Sequence, residues 1–253
     1  MAQQATPVRR ARLGKALGPE PTAVGGVVLL LPPGDEVSRR RPSPMMATAT
    51  VRTLGRRLGR AARDEGLVTH VVHYRYRGWN GEEAHLAQDA AWAADEAVRR
   101  YGDVPVCLAG LGMGGRAALR AAGHDAVNSV LALAPWLPAE NTGTPLEPVR
   151  QLAGRRVLVV HGTHDARTDP ELSFRLAARA KKANRDVCRF EVHADGHGLT
   201  QYRDEVLALA ENFVGGALFG RAFSRPLQDA FAAPPPLGLR MPLAAGFGKS
   251  LRR

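Results

Sequence analysis

The chain has 253 residues, of which 45% are hydrophobic, and this length and composition suit one folded domain with a sizeable core. No apolar run approaches the length of a membrane span, and the N-terminal residues lack the order of a signal peptide, so we expect a cytoplasmic protein with no membrane partner. The formal net charge is +11, but the arginines are dispersed and accompany no recognition motif, which argues against specific nucleic-acid binding. Cys107 and Cys188 lie in apolar runs, as reduced core thiols do.

Apolar, β-branched runs alternate along the chain with segments whose apolar residues recur three and four positions apart. The predicted strands are residues 24–31, 67–74, 104–111, 129–134, 156–161 and 188–193. The predicted helices are residues 48–63, 82–101, 113–122, 170–183 and 199–213. Because parallel neighbours need long crossovers, this alternation predicts an α/β fold with a doubly wound, mostly parallel sheet and helices on both faces.

The periodic region indicates one central domain, residues 24–220, preceded by an N-terminal extension, residues 1–23. The C-terminal residues 221–253 are rich in glycine and proline and include the run AAPPP, which predicts a poorly ordered, passive tail. Residues 135–155, between two predicted strands, form a short, proline-containing connection. We therefore expect no lid domain and an open cleft.

A turn at the end of the third predicted strand carries the most specific signal. In VPVCLAGLGMGG, residues 104–115, an apolar strand meets small residues and then a helix. Gly110, Gly112 and Gly114 have the spacing of a G-x-S-x-G turn, with Gly112 where the serine would stand. The pattern resembles the nucleophile elbow of the α/β-hydrolase family, in particular its small lidless esterases and dienelactone hydrolases. Such a turn favours positive φ, which glycine adopts without cost, so it survives without its serine.

Two later strand ends match the family's order of nucleophile, acid and histidine. In VLVVHGTHD an apolar strand is followed by Asp165, and in FEVHADGHGL His197 lies between two glycines. The resemblance implies that Asp165 is the acid and His197 the base of a degenerate catalytic triad, leaving a dyad beside the vacant nucleophile position at Gly112. It covers roughly residues 24–213, most of the chain.

The resemblance also implies an oxyanion hole formed by the backbone amides of Gly34 and Met113. The first predicted strand here ends in Pro32-Pro33-Gly34, where the family commonly has a His-Gly pair, and proline offers no N–H group. The altered loop leaves the geometry of this hole open.

Three aromatic residues follow predicted strands, at the edge of the sheet where open α/β folds place ligand crevices. They are Tyr76, Trp79 and Trp136. We expect them to line the cleft, with covering of the sheet edge as the alternative. Arg75 and Arg77 would favour an anionic ligand if they are exposed there.

Two rival interpretations of the glycines and histidines are weaker. Gly110, Gly112 and Gly115 also satisfy the G-x-G-x-x-G spacing of a dinucleotide-binding turn, but the next strand ends in Pro135 and Trp136 rather than in an acidic residue. Six side chains near two strand ends are of the types that bind zinc: His161, His164, Asp165, His193, Asp195 and His197. Their spacing matches no zinc motif, and we expect neither a cofactor nor a metal.

The glycine at position 112 leaves two kinds of function open. Loss of the nucleophile of a serine hydrolase costs roughly a millionfold in turnover, so covalent acyl transfer is not expected. The first hypothesis is a pseudoenzyme, a hydrolase-like protein that binds a small molecule or an unknown protein partner. The alternative is a noncovalent hydrolase or lyase, in which the His197 and Asp165 dyad activates water or removes a proton from an ester, lactone or related carbonyl substrate.

Overall fold

A computed structural model describes residues 9–18, 21–42, 46–139, 145–243 and 245–247. Within these residues eight strands form one sheet, in the order β1-β3-β2-β4-β5-β6-β7-β8, and only β1 runs antiparallel to its neighbour. The strands are β1 (Arg12–Ala16), β2 (Gly26–Leu31), β3 (Leu67–His73), β4 (Val106–Leu111), β5 (Val127–Leu133), β6 (Arg156–Gly162), β7 (Val187–Val192) and β8 (Met241–Pro242). The helices are α1 (Met46–Ala61), α2 (His85–Tyr101), α3 (Met113–Ala121), α4 (Pro170–Ala183), α5 (Arg203–Phe219) and α6 (Arg225–Ala232).

Helices cover both faces of the sheet, as the alternating pattern predicts. Successive residues of β2 point to opposite faces, so Val27 and Leu29 pack with α2, α3 and α4, whereas Val28 and Leu30 pack with α1, α5 and α6. All residues of β2 are buried, which explains why its sequence is continuously apolar rather than alternating. The prediction of a doubly wound, mostly parallel α/β fold is confirmed.

The order of the strands fixes where a ligand crevice forms. The chain passes from β2 to β3 on one side and returns to β4 on the other, so the direction of winding reverses between β2 and β4. In open α/β sheets this switch point opens a crevice at the carboxyl ends of the two strands. Leu31 is followed there by Pro32, and Leu111 by Gly112. The elbow glycine therefore lies at the expected position for a site.

Two short edge strands lie outside the predicted core. β1 belongs to the predicted N-terminal extension and pairs with β3, and β8 belongs to the predicted tail and pairs with β7. Residues 221–243, within the predicted tail, contain regular secondary structure that packs against the domain, while residues 244 and 248–253 lie outside the described residues. This segment folds because it contains α6, a short amphipathic helix. Its N-terminal signal, Pro226 in the first turn, is inconspicuous in a sequence rich in glycine and proline.

Lys181 of α4 fastens this C-terminal segment to the rest of the domain. Its Nζ atom donates to the backbone oxygen of Val187 at 2.7 Å and to that of Phe231, in α6, at 2.9 Å. Carbonyl groups at the end of a helix have no partner within the helix, and a cation supplies one. The ammonium group thus bridges β7 and α6.

The connection between β5 and β6 is short. Its described residues contain one 3₁₀ turn, Arg150–Leu152, and residues 140–144 lie outside the described part of the chain. Across the described ranges, no helix is both long enough and apolar enough to cross a membrane.

Leu227→Ala tests whether the C-terminal segment is packed. Leu227 is fully buried in α6 (0% exposed), so truncation should leave a cavity and lower the free energy of unfolding by about 2–5 kcal/mol. Leu237→Ala makes the same chemical change in the same segment, at a residue that is 67% exposed. It should alter the free energy of unfolding by less than about 0.5 kcal/mol. Urea unfolding followed by circular dichroism measures both. Two equally small effects would contradict the packing of α6.

Candidate functional site

Gly112 forms a sharp turn between β4 and α3. Its φ and ψ angles are 58° and −120°, a conformation that side chains disfavour. The flanking glycines are required by close packing, since a Cβ atom on Gly110 would lie 2.1 Å from the backbone oxygen of Gly114. A Cβ atom on Gly112 would instead meet the Nε2 atom of His197 at 3.4 Å, an ordinary contact. The turn therefore admits a side chain at position 112 and aims it at His197.

His197 and Asp165 form the predicted dyad. The loop after β7 carries His197, whose Nδ1 atom donates to Oδ2 of Asp165, on the loop after β6, at 2.9 Å. The Oδ1 atom of Asp165 accepts the backbone N–H groups of Arg167 and Thr168 at 2.8 and 3.0 Å. Burial raises the pKa of Asp165, but the hydrogen bonds from Thr168, Arg167 and His197 outweigh it and hold that pKa below its usual range. Asp165 is thus a carboxylate at neutral pH.

Asp195 shapes the loop that presents His197. Its two carboxylate oxygens accept four backbone N–H groups, at 2.8–3.2 Å. The donors are Gly196, Thr200, Gln201 and Tyr202. The sequence analysis named Asp195 only among possible metal ligands, although an aspartate followed by glycine is a recognised turn signal.

His161 is a second histidine on the same carboxylate. It is fully buried at the end of β6, and its Nε2 atom lies 3.2 Å from Oδ2 of Asp165. Burial, and then the positive charge of Arg189, lower the pKa of His161 to about 4, so its ring is neutral at pH 7. The sequence analysis treated His161 only as a possible metal ligand. Within the described ranges, no three His, Cys, Asp or Glu side chains converge as a metal site would require.

Comparison with known proteins supports the architecture. No family model and no curated protein matches the sequence. Among solved structures, a lidless α/β serine hydrolase from Xanthomonas campestris is similar with a TM-score of 0.55 and 13% identity, over 87% of this chain and 100% of that one. An esterase from Pyrobaculum calidifontis has a TM-score of 0.57 and 17% identity, over 84% and 87% of the two chains. An esterase from Pyrococcus furiosus has a TM-score of 0.61 and 14% identity, over 77% of this chain and 83% of that one. The chain has the α/β-hydrolase fold.

The two predicted oxyanion-hole residues follow the neighbouring strands β4 and β2. Met113 is the first residue of α3, and Gly34 follows the Pro32-Pro33 pair after β2. Pro33 approaches the elbow, because its Cβ atom lies 3.7 Å from the position of a Cβ atom on Gly112. Their role in binding an oxyanion stays a prediction.

An open cleft of about 800 Å³ adjoins the dyad. Its walls include Trp79, Trp136, Arg116 and Thr168, and the guanidinium carbon of Arg116 lies 3.9 and 5.1 Å from the centroids of the two indole rings. The hydroxyl of Thr168 lies 2.5 Å from Oδ2 of Asp165, to which it donates. The cleft wall is thus in direct contact with the dyad.

Tyr76, the third predicted cleft residue, lies outside this cleft. Its ring packs edge-on against His85, with 4.6 Å between the ring centroids. Arg75 is bound by Asp89 at 2.7 Å, and Arg77 by Asp35 at 2.9 Å. Both arginines therefore have acidic partners of their own.

Alanine substitutions at the two glycines of the elbow test its packing. Gly112→Ala should fold and lose about 1–3 kcal/mol of unfolding free energy, because only the positive φ is disfavoured. Gly110→Ala should lose more or fail to fold, because its Cβ atom would collide with backbone. Urea unfolding compares the two variants. If Gly110→Ala proves the more stable of the pair, the close packing of β4 and α3 at the elbow is wrong.

Proposed function

We propose that this hydrolase-fold protein lacks an acyl-serine step and binds a small organic molecule in the cleft beside its dyad. The observation that carries the proposal is Gly112, at the position where the turn aims a side chain at His197. Serine hydrolysis requires a hydroxyl at this position, activated by the histidine. Glycine supplies none, so the elbow retains its shape without its nucleophile.

The neighbouring residues provide no substitute nucleophile. Among the described residues, no hydroxyl or thiol is hydrogen-bonded to Nε2 of His197, and Thr168 contacts the ring at Nδ1. Cys107 lies within β4, where burial raises the pKa of its thiol to about 12. A thiol that stays protonated in the core does not attack a carbonyl group.

The walls of the cleft suit a flat organic ligand. Trp136 supplies apolar surface, whereas Trp79 is 3% exposed and lies beneath the guanidinium group of Arg116, which is paired with Glu147 at 2.6 Å. Aromatic walls with a few fixed polar groups are typical of small-molecule sites. This favours a small molecule over a protein as the occupant.

A specific observation supports a second candidate, noncovalent hydrolysis. The Nε2 atom of His197 faces the space above Gly112, while Nδ1 is fixed by Asp165. Water in that space would give a proton to Nε2 as its oxygen adds to an ester or lactone carbonyl, and the imidazolium would then return the proton to the leaving alkoxide. A dyad of this kind acts as a general base and then as a general acid.

Hydrolysis of p-nitrophenyl acetate and an activated lactone separates the two candidates. We expect no enzyme-dependent turnover by the wild type and measurable turnover by Gly112→Ser, because serine completes the triad. His197→Ala in the Gly112→Ser background should abolish the gained activity, and His193→Ala, an exposed histidine on the same loop, should not. Wild-type turnover that disappears with His197→Ala would establish noncovalent catalysis instead.

Binding of 8-anilinonaphthalene-1-sulfonate, a flat anionic fluorophore, tests the cleft directly. We expect saturable binding to the wild type, weakened about tenfold in Trp136→Ala, a loss of about 1.4 kcal/mol that fits one aromatic contact. Trp92→Ala is the control, since Trp92 lies on α2 and does not line the cleft. No saturable binding, or equal effects of both substitutions, would contradict this cleft as the binding site.

A further inference from the structure

We propose that His161, Ser173 and Arg189 form a buried hydrogen-bonded chain through which the C-terminal segment, residues 221–243, positions Asp165 for His197. These hydrogen bonds determine the geometry of the dyad. They do so whether the dyad catalyses a reaction or only lines a binding site.

At one end of the chain, a single carboxylate oxygen joins two histidines. Oδ2 of Asp165 lies 2.9 Å from Nδ1 of His197 and 3.2 Å from Nε2 of His161. The other contacts of Asp165, with Arg167 and Thr168, come from its own loop. His161 belongs to β6, which pairs with strands on both sides. Its ring therefore ties the carboxylate to the rigid sheet.

In the middle of the chain, Arg189 determines where the Ser173 hydroxyl points. The Ser173 oxygen has two acceptors within reach, the Pro170 oxygen at 2.8 Å and Nδ1 of His161 at 2.9 Å. Arg189 donates to that Ser173 oxygen at 3.0 Å and to the Pro170 oxygen at 3.1 Å. Nε2 of His161 faces two acceptors, Oδ2 of Asp165 and the backbone oxygen of Thr168, both at 3.2 Å, so this nitrogen carries the ring hydrogen. Nδ1 then accepts the Ser173 hydroxyl, and Arg189 supplies the Pro170 oxygen with a donor in its place.

At the far end, Arg189 is held by the C-terminal segment. It is 1% exposed and donates to the backbone oxygen of Leu239 at 2.9 Å and to the carboxylate of Glu191 at 2.7 Å. Burying a guanidinium is costly unless its N–H groups are satisfied. Leu239 supplies one of the acceptors, so removal of this contact would release Arg189 from the position in which it binds Ser173.

Charge supports the same arrangement. The charged groups that face the ring of His161 are Asp165, from the following loop, and Arg189, from β7, while the hydroxyls of Thr168 and Ser173 are neutral. Burial and Arg189 together lower the pKa of His161 to about 4. A neutral ring carries one N–H and one acceptor nitrogen, which is what Asp165 on one side and Ser173 on the other require.

Proton NMR of the hydrogen-bonded Nδ1 proton of His197 tests the proposal without any substrate or ligand, so its outcome is independent of the proposed function. Ser173→Ala interrupts the chain while keeping the charge of Arg189, and Arg189→Met removes both donor and charge. In both variants we expect the downfield signal of this proton to move upfield or to be lost through exchange, and in Arg189→Met the titration midpoint of His161 should rise.

Arg240→Met is the matched control. Arg240 pairs with Glu171 at 2.9 Å and, like Arg189, with Glu191, at 3.0 Å, yet it makes no contact with Ser173. Its substitution should leave the His197 signal unchanged. If Arg189→Met does not fold, the His197 signal of Ser173→Ala alone tests the proposal. An unaltered His197 signal in folded Ser173→Ala would overturn the proposal, as would an equal change in Arg240→Met.

Discussion

The buried carboxylate of Asp165 is the constraint on which the site depends. Moving an ionised carboxylate out of water costs several kcal/mol of free energy unless hydrogen-bond donors surround it. Arg167, Thr168, His161 and His197 provide those donors from three parts of the chain. The need to solvate Asp165 thus joins β6, its following loop and the histidine loop. The donors that this carboxylate requires thus also fix the geometry of the dyad.

A second constraint acts at the elbow. Gly110 cannot accept a side chain because β4 and α3 approach too closely. Position 112 has space for one, and the only cost to a residue other than glycine there is its positive φ. Placing glycine at 112 relieves about 1–3 kcal/mol of backbone strain relative to a serine at the same position. Glycine at this position therefore keeps the shape of the turn with less backbone strain than any residue that carries a Cβ atom.

The sequence predicts the centre of the fold better than its edges. Parallel strands buried on both faces are continuous apolar runs, and these were recognisable, whereas β1 is half exposed and β8 has two residues, too few for any pattern. Asp165 and His197 were predictable because they follow strands in the family's order. Arg189 was not, since a lone arginine in a strand suggests an exposed position, and its partner Leu239 lies 50 residues away, beyond any local signal.

The cleft and the dyad share their walls, and this connects the two candidate functions. Thr168 lines the cleft and donates to Asp165, and the backbone N–H of Trp136, another cleft residue, donates to the oxygen of Gly112 at 3.0 Å. A molecule bound in the cleft would therefore lie against residues that contact Asp165 and the backbone of Gly112. The two proposed functions therefore use neighbouring parts of one region, the cleft for binding an organic molecule and the space above Gly112 for water.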